Sequence, residues 1–269
     1  MRIGKIRYVF YLLILFSFSS DSVVRNTAFY SGEEIVYKTY YNWGFIWLKA
    51  GEVVFKVKKA EYKGVSCYNI SGIGGTYPSY DWIYKVRDRF EAWVDSVSLK
   101  PYRYIRDIHE GKKKFYNECY FNYQKRKAYC VTKDQEKPIR LDTVSIGINT
   151  LDPLSMIYYS RNIDFNAAKL NDTLPISLFL DNKTYSLYVR YLGRTEFVLE
   201  DKRKFNCIKY SPLLVDGTIF NGGEGMTVWV TDDKNRIPLY VEAPILVGSI
   251  KVEISGWNGL RNEMTSLVK

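Results

Sequence analysis

Residues 81–106 read DWIYKVRDRFEAWVDSVSLKPYRYIR and carry the clearest structural pattern in the sequence. From residue 82 to residue 94 the even positions are apolar apart from Asp88, whereas several odd positions are charged. Alternation with period two is typical of a strand that buries one face. Asp95 can start a turn, and Pro101 can open the next strand because its missing N–H is harmless there. The stretch therefore predicts an antiparallel hairpin.

The same alternation recurs along the chain, for example at residues 53–58 and 250–255. Aromatic residues make up 16% of the 269 residues, and they favour strands because rings pack well on a pleated surface. We predict a mainly β fold with a large curved antiparallel sheet, as a sandwich, barrel or half-barrel. No linker rich in proline, glycine or serine divides residues 21–269, so we expect one β domain, with possible related halves at about 28–150 and 170–269.

Two similar hairpins suggest those halves, because Trp93 and Trp229 each precede an aspartate-containing turn and a proline. The turn residues singled out are Asp95, Pro101, Asp232, Asp233, Asn235 and Pro238. The oxygen-bearing side chains of residues 232–235 could also hold calcium, but the closing acid of an EF-hand loop is missing. We therefore predict a turn there and no metal site.

One short helix is predicted near residues 152–161. Asp152 can accept hydrogen bonds from the free amides of the first turn, and Pro153 suits the first helical position. Leu154, Ile157 and Tyr158 then form an apolar stripe.

Residues 1–20 have the plan of a cleavable signal peptide: three basic residues, an apolar run over residues 8–16, and then serines. No cysteine follows the apolar run, which disfavours a lipoprotein, and no later run reaches the length of about 20 residues that a membrane span needs. We therefore expect residues 21–269 to be a periplasmic protein without a transmembrane span.

All four cysteines follow that segment, and an exported protein can form disulfides. Cys119 and Cys130 lie directly opposite each other if residues 115–131 form a hairpin centred between Gln124 and Lys125. We predict a disulfide between them, with two separate buried thiols as the alternative. Cys67 and Cys207 are expected in the core, and no cysteine or histidine spacing fits a metal site.

The formal net charge is +10, and it falls to +7 without the three basic residues of segment 1–20. A basic surface attracts anionic lipid or glycan phosphates, although it also serves as a simple solubilising charge. Export makes nucleic acid a poor partner. We expect a lipid or other amphiphilic ligand, or a protein of the cell envelope, as the partner.

Catalytic motifs are missing from the sequence. His109 is the only histidine, and no serine-hydrolase elbow, zinc-protease motif, phosphate loop or dinucleotide fingerprint occurs. We expect no cofactor and no enzymatic activity. A carboxylate-dependent glycan hydrolase stays open as an alternative, because paired acids such as Asp81 with Asp88, or Asp232 with Asp233, are available.

Asp88 stands on an otherwise apolar strand face, and a carboxylate there needs a partner. If the hairpin is centred near Val97, Asp88 lies opposite Arg106, so we predict an ion pair inside the barrel or at its mouth. The pair would lock the strand register or anchor the head group of a ligand in an apolar cavity. The candidate ligand-binding residues are Asp88, Arg106, Trp82, Tyr84, Phe90, Tyr102 and Tyr104.

Several short motifs resemble the bacterial domain-of-unknown-function 3108 family over about residues 28–269. They are Gly32-Glu33, Ala50-Gly51, Val86–Arg89, Asp95 with Leu99 and Pro101, Glu110-Gly111, Tyr159 with Arg161, Trp229–Pro238 and Gly248–Ile250. The resemblance implies an exported protein of the Gram-negative envelope with a largely β fold. It implies no activity and no catalytic residues.

A weaker resemblance, at the level of the fold, links the paired hairpins to the half-barrel carriers that move lipoproteins across the periplasm. The leading hypothesis is a non-enzymatic periplasmic protein whose curved sheet encloses an apolar or amphiphilic ligand such as an acyl chain. The alternative is a scaffolding protein of envelope assembly that binds another protein along an exposed sheet edge.

Overall fold

The computed structural model describes residues 24–43, 46–135, 137–216, 222–245 and 248–268. The predicted signal peptide, residues 1–20, lies outside them. The N-terminal strands are β1 (Glu34–Trp43), β2 (Ile46–Tyr62), β3 (Val65–Thr76), β4 (Arg87–Val94), β5 (Pro101–Glu110), β6 (Lys113–Asn122), β7 (Lys127–Asp134), β8 (Lys137–Ser145) and β9 (Thr150–Leu151). Helix α1 (Pro153–Ser160) is followed by β10 (Thr173–Leu180), β11 (Lys183–Val198), β12 (Lys204–Pro212), β13 (Thr227–Thr231), β14 (Pro238–Pro244), β15 (Ser249–Asn258) and β16 (Leu267–Val268).

The strands form one sheet in which the first eight run as a meander from β1 outward to β8. Strands β10 to β15 form a second meander, and the two join where β1 pairs antiparallel with β15. Strand β9 pairs parallel with β10, and the short β16 pairs with β12. The prediction of a mainly β fold with one large curved sheet and a short helix is confirmed.

The sheet is not closed by a continuous ladder, but its two outer regions approach each other at the turn between β10 and β11. Asp181 and Asn182 form that turn with φ of 50° and 56°, the left-handed conformations that a tight hairpin needs. Asn182 Nδ2 donates to Asp142 Oδ2 on β8 at 2.6 Å and to Thr132 Oγ1 on β7 at 3.1 Å. Side-chain hydrogen bonds therefore hold the barrel-like curve.

Helix α1 begins as the sequence predicts. Asp152 is the N-cap, and its Oδ1 accepts from the amides of Leu154 at 2.9 Å and Ser155 at 3.0 Å. The Asp152 carboxyl is buried, and this burial raises its pKa to about 6. The helix lies inside the curve of the sheet.

The predicted disulfide between Cys119 and Cys130 is present, because β6 and β7 place the two residues directly opposite each other. Both half-cystines are buried in the same cluster as Leu154 and Tyr158 of α1. Cys67 and Cys207 are buried free thiols. The disulfide therefore braces the sheet where the helix packs on it.

A buried ion pair lies at one end of the curved sheet. Arg161, just after α1, donates to Glu33 through Nη1 at 2.6 Å and Nη2 at 2.8 Å. Its Nε donates to the carbonyl of Asn235 at 2.9 Å, and its guanidinium lies 5.2 Å from the centre of the Phe29 ring. Asn235 Nδ2 in turn donates to the carbonyl of Asn262 at 3.0 Å. We call this region, built from residues 26–33, 161–165, 232–237 and 259–266, the filled end.

Candidate functional site

A cavity of about 630 Å³ opens at the other end of the curved sheet. Its walls are the inner faces of β1 to β4 and β15, and the first turns of α1 cover it with Pro153, Leu154 and Ile157. The remaining lining side chains include Tyr41, Val53, Phe55, Phe90, Ile250 and Val252. We call this space the apolar cavity, because nearly all of its wall is hydrocarbon or aromatic ring.

On β3 the inner-face side chains change from large to small as the strand passes from the packed core to the apolar cavity. On the inner face of β3, the buried Ile70 is followed by Gly72 and Gly74. Cross-strand pairing places Phe55 and Phe90 on either side of Gly72. The glycines therefore form the floor of the cavity, where larger residues would fill it.

The glycines serve two different physical purposes. A side chain on Gly51 would collide with the carbonyl oxygen of Gly75, so Gly51 is required by the close approach of β2 and β3. A Cβ on Gly74 would lie 3.1 Å from Val53 Cγ2, a tight side-chain contact with a residue that itself lines the cavity, and it would meet no backbone atom closer than 3.8 Å. Gly74 is thus the position where a larger residue would mainly remove cavity volume. Glycine in a strand often marks such a close approach of backbone or ligand.

Asp88 is the half-buried carboxylate in this apolar wall, next to Gly74 across the β3–β4 pair. Its Oδ1 accepts from the backbone amide of His109 at 3.0 Å. Removal from water raises the pKa of Asp88 to about 6, and the nearby Glu110 adds to that effect while the His109 amide opposes it. The side chain can therefore accept a hydrogen bond from a ligand or, when protonated, donate one.

The predicted ion pair between Asp88 and Arg106 is wrong. Arg106 lies opposite Phe90, because the hairpin contains a bulge at Trp93 and Val94 that shifts the register. Arg106 Nη2 instead binds Asp181 Oδ1 at 2.7 Å, across the gap between the two outer regions of the sheet. Arg106 thus fastens the barrel-like curve.

Two further candidates, Trp82 and Tyr84, lie on an exposed loop. The strand predicted from residue 82 begins at Arg87, because the carbonyl of Tyr80 accepts from the amides of Ile83 and Tyr84 and so makes a turn. Trp82 is 82% exposed and Tyr84 is 52% exposed. Neither lines the cavity.

The two remaining tyrosine candidates are structural in this fold. Tyr104 is buried in the core at 3% exposure. Tyr102 stacks on Tyr62 with 5.6 Å between ring centres, and its hydroxyl donates to Asp95 Oδ2 at 3.2 Å. Phe90 and Asp88 are therefore the candidates that the structure brings together in the cavity wall.

The residues singled out as turns form hydrogen-bonded turns. Asp95 Oδ1 accepts from the amides of Val97 at 3.1 Å and Ser98 at 2.6 Å, and Pro101 opens β5. These bonds hold the pKa of Asp95 below its usual value despite partial burial.

The second turn uses the same chemistry. Asp233 Oδ1 accepts from the amide of Asn235 at 2.9 Å, and Oδ2 accepts from Ser266 Oγ at 2.7 Å. Asp232 binds Arg194 Nε at 2.8 Å, and Pro238 opens β14. The oxygens considered for calcium are thus occupied by the chain itself. Within the described ranges no group of three histidine, cysteine or acidic side chains could hold a metal ion.

The acids considered for glycan hydrolysis are also engaged. Asp81 binds Arg87 Nη2 at 2.7 Å and accepts from Thr76 Oγ1 at 2.8 Å. His109 is half exposed, and its Nε2 lies 3.1 Å from Asp107 Oδ1. Among the acids considered, Asp81, Asp232 and Asp233 are thus each bound by a neighbouring side chain.

A second, polar cleft of about 880 Å³ lies between the β6–β8 region and the β10–β11 turn. Asn117, Thr132 and Asn182 are among its lining residues, and they hydrogen-bond to one another. These three side chains join the two outer regions of the sheet.

The cavity residues that sequence reasoning missed are the glycines. The motif Ser71-Gly72-Ile73-Gly74-Gly75-Thr76 places Gly72 and Gly74 on one strand face. Two glycines spaced two residues apart in a predicted strand were the available signal. Such residues are neighbours on one face of the strand, and their lack of side chains leaves space beside that face.

Comparison with known proteins supports the fold. A crystal structure described as a beta-barrel-like protein of domain of unknown function DUF1849 from Brucella abortus is similar, with a TM-score of 0.55 and 11% sequence identity. The match covers 84% of this chain and 96% of that chain. No curated protein matches the chain. At this identity the likeness concerns the fold alone.

Among the described residues, no helix is long and apolar enough to cross a membrane.

A family model described as "Protein of unknown function (DUF3108)" matches residues 36–255. This confirms the resemblance drawn from the motifs. Several of those motif residues lie in the filled end, including Glu33, Arg161, Asp233 and Asn235. The match covers most of the sequence, and the chain belongs to the DUF3108 family.

Proposed function

We propose that this protein is an exported, non-enzymatic binding protein that holds the acyl chain of an amphiphile in the apolar cavity. The observation that carries the proposal is the glycine floor formed by Gly72 and Gly74 between Phe55 and Phe90. A space of about 630 Å³ falls within the range of small-molecule sites, which are mostly apolar with a few polar groups.

Asp88 supplies the polar group. A hydrocarbon chain would lie along Val53, Phe55 and Ile250, and the polar end of the ligand would reach Asp88 near the β4 rim. Because Asp88 is a carboxyl group, it favours a head group that is a hydrogen-bond donor or a cation at neutral pH. An anionic head group would have to extend past it into water.

Export is part of the proposal. It is supported by the plan of residues 1–20 and by the disulfide between Cys119 and Cys130. Disulfides persist in oxidising compartments such as the bacterial periplasm. A periplasmic location would also place the protein next to two membranes that contain acyl chains.

The test is a titration with a fluorescent fatty acid whose emission rises in an apolar site. We expect saturable binding at a single site by the wild-type protein. Gly74→Leu, which puts four carbons into the floor, should weaken binding at least about tenfold, because roughly two buried CH₂ contacts are worth that factor.

Gly256→Leu is the matched control. Gly256 lies on β15 outside the cavity, and nothing lies within 4 Å of where its Cβ would be. This variant should bind like the wild type. Equal binding by Gly74→Leu and the wild type would place the fatty acid elsewhere and overturn the proposal.

A second candidate function is the binding of a protein partner along β8. This strand ends the sheet, and within the described ranges it forms a ladder with β7 alone. Ile139 and Leu141 stand two residues apart with exposures of 64% and 76%. An exposed edge with apolar side chains at that spacing is suited to strand addition.

Crosslinking from β8 in the native envelope tests this candidate. A photoreactive residue at position 139 should give one defined crosslinked protein, and a Leu141→Lys change should abolish it. No defined product from position 139 would rule this candidate out.

A further inference from the structure

The loop between β3 and β4 exposes three large apolar side chains in succession. Trp82, Ile83 and Tyr84 are 82%, 51% and 52% exposed. Exposing a cluster of large apolar side chains to water is energetically unfavourable, and such a cluster often marks a surface that binds a partner. Tryptophan and tyrosine are also the residues that favour the interface between water and lipid.

The loop is held in a defined shape. Asp81 binds Arg87 Nη2 at 2.7 Å and Thr76 Oγ1 at 2.8 Å, so its base is fixed. The amide of Gly111 donates to the carbonyl of Lys85 at 2.8 Å, which joins the loop to the β5–β6 turn. The apolar side chains are thus presented by a braced loop.

Three lysines flank the loop, and acids lie on its cavity side. Lys85 on the loop, Lys112 on the adjoining turn and Lys113 at the start of β6 are exposed, whereas Glu52 and Asp88 line the adjoining cavity. None of the three makes an ion pair with another residue in the described ranges. The acid on the loop, Asp81, is neutralised by Arg87, and Glu110 is half-buried at the cavity rim.

The loop also adjoins the mouth of the apolar cavity. It joins Thr76 to Val86, and both residues line the cavity. Their backbones are bonded, because the amide of Thr76 donates to the carbonyl of Val86 at 3.2 Å. A surface that met Trp82 would therefore lie beside the cavity entrance.

We propose that the Trp82–Tyr84 loop docks on the surface of a bilayer that contains anionic lipid, and that an acyl chain passes between that bilayer and the apolar cavity. Apolar insertion and lysine attraction act together at such a surface. The passage of a ligand rests on the proposed function, whereas docking can be measured without it.

Vesicle flotation tests docking. The full-length chain, expressed in a bacterium and purified without detergent, is mixed with vesicles of phosphatidylcholine alone or of phosphatidylcholine and phosphatidylglycerol in about equal amounts. We expect flotation with the anionic vesicles, little with the neutral ones, and a marked loss at high salt because screening shortens the reach of the lysines.

Two variants separate the apolar and charged contributions. Replacing Trp82, Ile83 and Tyr84 together by serine should lower the fraction bound to anionic vesicles at least about tenfold. Replacing Lys85, Lys112 and Lys113 together by glutamine should produce a similar loss.

Matched controls exist elsewhere on the surface. Ile139→Ser combined with Leu141→Ser removes equally exposed apolar side chains from β8. Replacing Lys58, Lys59 and Lys63 by glutamine changes the net charge by the same amount on another exposed region. Both control proteins should float like the wild type.

Docking is overturned if the wild-type protein does not float with anionic vesicles or if the loop variant floats normally. Native mass spectra of the loop variant separate this failure from failure of the cavity. We expect the variant to retain bound fatty acid, because its cavity wall is unchanged. A loop variant that has lost fatty-acid binding would show that the loop belongs to the cavity, and this would overturn its assignment as a separate docking element.

Discussion

The apolar cavity and the packed core beside it use the same face of the same strands, but they differ in what fills them. On β3, Ile70 packs in the core, whereas two and four residues later Gly72 and Gly74 leave space. At the filled end, Arg161 and Glu33 are almost fully buried and satisfy each other. At the cavity, the half-buried Asp88 faces a hydrocarbon wall. One sheet is therefore stabilised by a buried ion pair at one end and encloses an open apolar cavity at the other.

The largest effect is expected at the filled end. Arg161→Met leaves the Glu33 carboxylate buried without its partner, and such losses cost about 3 to 5 kcal/mol. Urea unfolding should therefore show a strongly lowered midpoint. Adding Glu33→Gln should recover part of the loss, because the unpaired charge is gone.

An exposed pair serves as the control: Arg194→Ala, which breaks the contact with Asp232, should cost no more than about 1 kcal/mol. A loss below that value for Arg161→Met would contradict the role given to the pair.

The disulfide is expected to have the next largest effect. Cys119 and Cys130 close a short loop with a sequence separation of 11. Replacing both by alanine should lower the free energy of unfolding by about 2 to 3 kcal/mol. Adding reductant should lower the wild-type midpoint but leave the double variant unchanged. A variant as stable as the wild type would show that the packing of α1 on the sheet does not depend on this brace.

At the cavity, Asp88 should make stability depend on pH. Its pKa is raised to about 6, above the usual value of about 3.9, so the folded state disfavours the charged form. The contribution of Asp88 to the stability of the folded state is therefore most favourable below about pH 4, and it declines as the pH rises through about 6. In the wild type, Asp88 should lower the free energy of unfolding by about 1 kcal/mol between pH 5 and pH 7, and Asp88→Asn should remove this decrease. The value is well below that of the full pKa shift, because solvent screens a half-exposed carboxyl.

Two other carboxyls sharpen this measurement. Burial raises the pKa of Asp152 to about 6, so the Asp88→Asn variant should retain some of the same pH dependence. Asp201→Asn is the control, because Arg203 lowers the pKa of Asp201 and confines its effect to lower pH. Identical pH profiles for Asp88→Asn and the wild type would mean that Asp88 is not desolvated by the cavity.

The smallest effect is expected from the cavity floor. Glycine within a strand is less stable than alanine by about 0.5 to 1 kcal/mol. Gly74→Ala should therefore change the unfolding free energy by less than about 1 kcal/mol, since the new Cβ would lie 3.1 Å from a Val53 methyl and this tight contact offsets part of the gain. A large loss of stability would show that Gly74 is required by packing and not by the need for space.

The predictions that were confirmed depended on short-range patterns in the sequence. The alternation of β4, the Asp152 cap and the opposition of Cys119 and Cys130 all depend on residues close in sequence. The Arg106 partner could not be predicted in this way. The turn before β5 holds Leu99 at a φ of 59°, a conformation that leucine rarely adopts, and the bulge beside it changes the register.

Contacts between residues far apart in the sequence could not be predicted from short-range patterns. Arg106 meets Asp181 and Arg161 meets Glu33 only because the whole sheet curves and the helix enters it. The cavity itself was predicted only in outline from the β composition. Its position depends on Gly72 and Gly74 facing inward at neighbouring sites, which the strand pairing of β2 to β4 makes visible.

The most direct test of the ligand-binding proposal is a pair of mass spectra of the protein expressed in a bacterium and purified without detergent. One spectrum is recorded under native conditions and the other after denaturation. We expect an added mass in the native spectrum that disappears on denaturation, is identified as an acyl lipid after organic extraction, and is lost from Gly74→Leu. A wild-type protein that remains bare after incubation with fatty acid, or an added lipid that Gly74→Leu retains in full, would contradict the proposal.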